Sequence, residues 1–118
     1  MSALDQQVGG DHYKNIPYQP VVFITKMRYN FIQGCILKYV LSYKALHNKE
    51  EIEKAVHYCQ LGQELNPVNL ALAVDVNEQE FLNANSLGED MKDLIRDITD
   101  QFWIGISTRL FEMVEKGG

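Results

Sequence analysis

The sequence predicts an all-α fold, a compact bundle of four or five helices with an irregular N-terminal loop and a long C-terminal helix. Apolar residues recur every three or four positions along most of the chain, which is the period of an amphipathic helix. Asparagine and proline stand where these periodic segments begin and end. A chain of 118 residues suffices for one core, so we expect residues 1–118 to form a single domain.

The first two helices are bounded by local signals. Residues 1–19 contain a Gly-Gly pair and an early proline, so we expect irregular structure there, and Pro20 suits the first turn of a helix. A second helix is expected over 31–46, with apolar residues nearly all round, as in a central helix packed on several sides. Gly34 costs roughly 1 kcal/mol there relative to alanine. Either this helix begins later, or a neighbouring backbone comes close to Gly34.

Capping residues delimit the later helices. Asn48 can cap a third helix with glutamates near its positive end, and an Asn-Pro pair at 66–67 ends that helix. Residues 68–76 are compatible with helix or strand. Asn77, followed by Glu80, resembles the capping box of a short helix. The last helix is expected over 89–115, where the apolar repeat is clearest.

The apolar stripe of that last helix is broad for so small a domain. It is compatible with packing inside one chain or with packing between copies. We expect a homo-oligomer, a dimer or a tetramer, since a closed symmetric assembly would bring copies of a binding site together. Its contact face is predicted to contain Phe102, Trp103, Ile106 and Leu110.

Composition narrows the class of protein. The hydrophobic fraction of 46% is ordinary for a globular chain, and no apolar run approaches the roughly 20 residues of a membrane-spanning helix. The N-terminus lacks the layout of a signal peptide. We therefore expect a soluble cytoplasmic protein with no membrane partner. Cys35 and Cys59 belong to no paired-ligand spacing, so free thiols are expected and no metal or cofactor is predicted.

Charge is distributed unevenly along the chain. The net charge of −5 argues against a DNA or RNA polymer as partner. Between His12 and Lys49 there is no Asp or Glu but several lysines, whereas residues 75–100 hold eight acids. The basic half is thus suited to an anionic ligand, and the acidic half is expected to be a solvated surface.

The sequence contains no familiar phosphate-binding loop, dinucleotide-binding glycine motif, serine nucleophile elbow or zinc-protease helix, and no catalytic residues are predicted. What remains is a cluster of lysines and aromatic residues. Lysines neutralise phosphate and tyrosines stack on a base. Tyr39 and Tyr43 lie one helical turn apart and are expected to share a face, over which the glycine-rich loop folds. The predicted ligand-binding residues are His12, Tyr13, Lys14, Lys38, Tyr39, Tyr43, Lys54 and Tyr58.

The motifs in residues 8–61 resemble a widespread family of small bacteriophage proteins of unknown function. The resemblance consists of Val-Gly-Gly-Asp-His-Tyr-Lys at 8–14, Gln-Pro at 19–20, Lys-Tyr-Val at 38–40, Tyr-Lys at 43–44 and Glu-Lys-Ala-Val-His-Tyr at 53–58. A related domain occurs in a coliphage nucleotide kinase. Residues 66–118 carry no resemblance and are expected to form a helical C-terminal extension.

The resemblance implies nucleotide binding in the host-cell cytoplasm. One hypothesis is a phage sponge that sequesters cyclic oligonucleotide signals of host immunity, such as cyclic dinucleotides, without hydrolysing them. The alternative is a small nucleoside-monophosphate kinase or other nucleotide-processing enzyme, with Mg²⁺ held by Asp11 and a C-terminal acid. A third hypothesis is a packing framework without a ligand. The family's usual Asn and Arg are replaced by Cys35 and Ser42, and loss of the Arg weakens the kinase hypothesis more than simple binding.

Overall fold

The computed structural model describes residues 17–117, which form α-helices and one short 3-10 helix with no strand among them, so the predicted all-α class is confirmed. Within this range there are six α-helices rather than four or five. They are α1 (Pro20–Lys26), α2 (Phe31–Leu46), α3 (Lys49–Leu65), α4 (Glu78–Ala84), α5 (Glu89–Thr99) and α6 (Trp103–Gly117). Residues 68–76, for which the sequence is compatible with helix or strand, contain the 3-10 helix, Leu70–Ala73.

Local capping signals mark the starts of these helices. Proline occupies the first turn of α1. The side chains of Asn48 and Asn77 accept hydrogen bonds from the backbone N–H groups of Glu50 and Glu80, at 3.0 and 3.2 Å. At the start of α2, Asn30 and Gln33 form a full capping box. These short-range bonds satisfy N–H groups that have no partner within the helix, so the sequence predicts these ends well.

Helices α2 and α3 form an antiparallel hairpin joined by His47 and Asn48. His47 ends α2 in the left-handed conformation (φ 54°), which turns the chain sharply back. Gly34 lies inside α2 and is buried. A Cβ atom there would stand 3.1 Å from a methyl group of Ile24, so it is a side chain of α1 that approaches Gly34.

The core is built around α2 by side chains from both halves of the chain. Phe23 of α1 stacks on Phe81 of α4 with ring centroids 4.1 Å apart. Helix α3 packs on α2 and α6, while α5 packs on α2 and α6. Among the fully buried side chains are Ile36, Leu37, Leu94, Ile95, Ile98, Ile106 and Leu110. Residues 66–117 therefore complete the core that α1, α2 and α3 begin.

The predicted long C-terminal helix is wrong, because the chain breaks between α5 and α6 at residues 100–102. Gln101 adopts the left-handed conformation (φ 53°). The carbonyl groups that would continue the helix are occupied by amide side chains from elsewhere. Gln33 Nε2 donates to the carbonyl of Ile98 at 3.0 Å, and Asn69 Nδ2 donates to that of Thr99 at 2.7 Å.

The predicted oligomer face is also corrected in part. Ile106 and Leu110 are fully buried in the core of their own chain, so they are not accessible to a second copy. Trp103 is half-buried and packs against Gly62 of α3. Phe102, which lies just before α6, is exposed, and so are Ile104 and Phe111 on α6.

The acidic half is not wholly a solvated surface. Asp97 is buried, and its carboxylate accepts a hydrogen bond from Arg109 Nε at 2.6 Å. This bond is the main reason why the pKa of Arg109 is raised, and it ties α5 to α6. Across residues 17–117, no helix combines the length and the apolar character needed to cross a bilayer.

Candidate ligand-binding site

A row of aromatic rings lies where α2 packs against α3. Tyr39 and Tyr58 stack with ring centroids 5.8 Å apart and an interplanar angle of 21°. Phe31 meets Tyr58 edge-on, with centroids 5.8 Å apart and an angle of 70°. Phe31 is 74% exposed, and the two tyrosines are half-buried. We call these three side chains the aromatic ridge.

Helical spacing explains how the ridge forms. Phe31, Cys35 and Tyr39 are successive fourth residues on α2, so they follow one another along one face. Lys54 and Tyr58 stand in the same relation on α3. Because α2 and α3 are antiparallel neighbours, Tyr58 of α3 contacts both Phe31 and Tyr39 of α2, and Lys54 lies near the Tyr39 ring.

Two ammonium groups stand at the Tyr39 end of the ridge. Lys38 Nζ and Lys54 Nζ each lie 5.5 Å from the centroid of the Tyr39 ring, within cation–π range. Lys54 also pairs with Glu51 at 3.2 Å, and this hydrogen bond is the main cause of its raised pKa. Lys54 therefore stays cationic throughout the physiological range, and an anion near Tyr39 would meet positive charge from both helices.

Cys35 lies beside Tyr58. Burial raises the pKa of the Cys35 thiol, while nearby Lys38 and a hydrogen-bonding contact with Tyr58 act in the opposite direction. The pKa of Tyr58 is raised mainly by the electrostatic influence of Cys35. Both groups are neutral at physiological pH, so the Tyr58 hydroxyl keeps its proton and can donate a hydrogen bond. Cys59 is more deeply buried, which raises its pKa to about 12.

The structure brings together Lys38, Tyr39, Lys54 and Tyr58, four of the predicted site residues. The three predicted in the N-terminal loop, His12, Tyr13 and Lys14, lie outside the described residues.

Tyr43 is not part of the group. It is only 5% exposed, belongs to the core, and lines a separate cleft with side chains of α5 and α6. Tyr43 lies one helical turn beyond Tyr39, but its surroundings differ. Its ring contacts His47 and lines the cleft with α5 and α6, whereas Tyr39 stacks on Tyr58 of α3, so the structure does not bring Tyr43 to the ridge.

Phe31 is the ridge residue that the sequence-based choice of site residues missed. The signal was present in the spacing, since Phe31 lies two helical turns before Tyr39 on the same face of α2. Its exposure could not be foreseen, because an aromatic residue near a helix start is as compatible with the core as with the surface. Within the described part of the chain, no group of three His, Cys, Asp or Glu side chains is arranged to hold a metal ion.

In comparisons with known proteins, no family model, no curated protein and no solved structure matches this chain.

Proposed function

We propose that this protein binds a nucleotide on the aromatic ridge. The observation that carries the proposal is the Tyr39–Tyr58 stack with two ammonium groups, each 5.5 Å from the centre of the Tyr39 ring. Such a surface provides the two features that nucleotide binding requires, a flat apolar face on which the base can stack and positive charge for the phosphate. Phe31 extends the apolar face away from the lysines.

The degree of exposure supports a ligand rather than a purely structural role. A large aromatic side chain is stabilised most when it is buried, yet Phe31 leaves most of its surface in water. A base stacked on Phe31 or on the outer faces of the tyrosines would cover that surface. The phosphate would then be within reach of Lys38 and Lys54.

We further propose that the ligand is a cyclic oligonucleotide signal of host immunity, which the protein sequesters unchanged. The support for this step is analogy. Phages encode small helical oligomers that sequester such signals, and this chain shares their small size and helical class and has a basic aromatic cluster. The alternative, a nucleotide-processing enzyme, would use the same ridge to hold its substrate. The fate of the bound nucleotide distinguishes the two.

Removing either of the two lysines beside the ridge, Lys38 or Lys54, should weaken nucleotide binding without unfolding the protein. At low ionic strength, Lys38→Ala is expected to lower affinity roughly tenfold to a hundredfold, the usual effect of losing a charge-assisted phosphate contact. Lys54→Ala should weaken binding as well, although Glu51 occupies one of its three donors. The measurement is a calorimetric titration against mononucleotides, cyclic dinucleotides and cyclic trinucleotides.

Lys49→Ala is the matched control, since Lys49 is an exposed cation on the same helix as Lys54. It should bind like the wild type, and all three variants should keep the wild-type melting temperature within a few degrees. If both ridge variants bind every tested nucleotide as tightly as the wild type, the site is elsewhere. Heating the complex to release its ligand then separates the two functions: a sponge returns the nucleotide intact, and an enzyme returns a product.

We also propose that the protein is a homo-oligomer that uses the exposed apolar side chains of α6. Light scattering at micromolar concentration should give the mass of a dimer or tetramer. Ile104→Glu should shift this mass toward the monomer, because a charge in an apolar interface loses its hydration without gaining a partner. Gln79→Glu, which adds the same charge at an exposed position of α4, is the control. A monomeric wild-type mass would contradict this proposal.

A further inference from the structure

A cleft of about 280 Å³ opens beside Tyr43, away from the aromatic ridge. It lies where the last turns of α2 and α6 meet the first turn of α5. Its cationic lining comes from Lys44, Arg109 and Lys116, with His47 at the end of α2. Asp90 and Glu112 supply the carboxylates, and Met113 an apolar wall.

The hydroxyl of Tyr43 has no hydrogen-bond partner among residues 17–117, although the side chain is almost wholly buried. Its ring makes an edge contact with His47, with centroids 6.4 Å apart, and this contact does not involve the hydroxyl. Buried polar groups in folded proteins are nearly always hydrogen-bonded, so an unpartnered one needs an explanation. Because Tyr43 lines the cleft, a molecule bound there could supply the missing partner.

The charges around the cleft favour an anion as that molecule. Lys44 pairs with Asp90 at 2.7 Å, which leaves two of its three donors for other partners. Arg109 uses Nε on Asp97, and its Nη1 lies 3.7 Å from Asp93, so the outer guanidinium edge retains donors. Lys116 makes no ion pair within the described part of the chain. Three cations thus line the cleft with the carboxylates of Asp90 and Glu112. Because Arg109 is already paired with Asp93 and Asp97, the positive charge offered to an anion comes mainly from Lys44 and Lys116.

We propose that this cleft is a second binding site, independent of the ridge, for a small phosphate-bearing molecule such as a phosphomonoester. The Tyr43 hydroxyl donates to the phosphate, while Lys44, Arg109 and Lys116 neutralise it. Arginine and lysine both bind phosphate oxygens through charge-assisted hydrogen bonds. The volume is at the lower end of the range for small-molecule sites, which suits a ligand little larger than the phosphate itself.

The test is an NMR titration of the full chain with inorganic phosphate, following the ring resonances of Tyr43 and His47. Chloride at matched ionic strength is the reference. Tyr43→Phe removes only the hydroxyl and should weaken phosphate binding severalfold, the effect of losing one hydrogen bond. Lys116→Gln removes a surface charge that no ion pair needs, and it should weaken binding by a similar or larger factor.

Lys26→Gln, a charge removal on α1 away from the cleft, should leave phosphate affinity unchanged. Because the resonances followed belong to residues of the cleft, phosphate binding at the ridge does not enter the measurement, and failure of the ridge and failure of the cleft can be told apart. Two results would overturn the proposal. One is a set of resonance shifts that chloride reproduces, which would mean that the cations only stabilise the helix ends. The other is equal phosphate affinity in the wild type, Tyr43→Phe and Lys116→Gln.

Discussion

Substituting Gln33 with leucine should lower the free energy of unfolding by roughly 2–4 kcal/mol. Gln33 is fully buried, and its amide is bonded at both ends. Its Oε1 accepts from the backbone N–H of Asn30 at 2.9 Å. Its Nε2 donates to the carbonyl of Ile98 and to Asn69 Oδ1, both at 3.0 Å. Leucine has a similar volume but would leave these buried groups without partners.

The loss should extend beyond Gln33 itself because its partners belong to one network. Asn30 also donates to Gln101 at 2.8 Å, and Gln101 donates to the carbonyl of Pro67 at 2.9 Å. The network thus joins the start of α2, the segment after α3 and the break between α5 and α6. Interactions that share partners are not additive, so the first break exposes the remaining bonds to water.

Urea denaturation followed by circular dichroism measures this effect. Gln79→Leu is the matched control, since Gln79 is exposed on α4 and bonds to Asn83 on the same helix. Its stability should stay within about 0.5 kcal/mol of the wild type. Equal stabilities for Gln33→Leu and Gln79→Leu would show that the buried network contributes nothing to the fold.

Gly62→Ala should destabilise the protein by about 1–3 kcal/mol, although alanine is the better helix former. A Cβ atom at position 62 would lie 2.6 Å from two ring carbons of Trp103. Carbon atoms do not approach so closely, and a tryptophan ring packed against the core has little freedom to move. The contact between α3 and α6 would therefore have to open.

The single tryptophan of the chain gives a direct measurement, since its fluorescence should change when the ring is displaced. Gln63→Ala, at the next position on α3 and exposed, should be nearly neutral. In a Trp103→Leu background the cost of Gly62→Ala should shrink, because the clashing ring is gone. An undiminished cost in that background would assign the effect to something other than the ring.

Local signals in the sequence determined the class of the fold and most helix boundaries. Pro20 and the capping asparagines act on backbone groups within three residues of themselves, so their effect can be predicted without knowing the rest of the structure. The sequence also predicts that Lys38 lies next to Tyr39, and Lys54 next to Tyr58, because each pair belongs to one helix and its spacing depends only on the geometry of that helix.

Only the tertiary structure decided the break between α5 and α6 and the separation of Tyr43 from Tyr39. The break depends on Gln33 and Asn69, whose side chains bond carbonyl groups 65 and 30 residues further along the chain. The different surroundings of the two tyrosines depend on which helices pack against successive turns of α2. The apolar period is equally compatible with a continuous helix and with a broken one, because helical periodicity indicates which residues are buried but not which distant donor takes each backbone carbonyl.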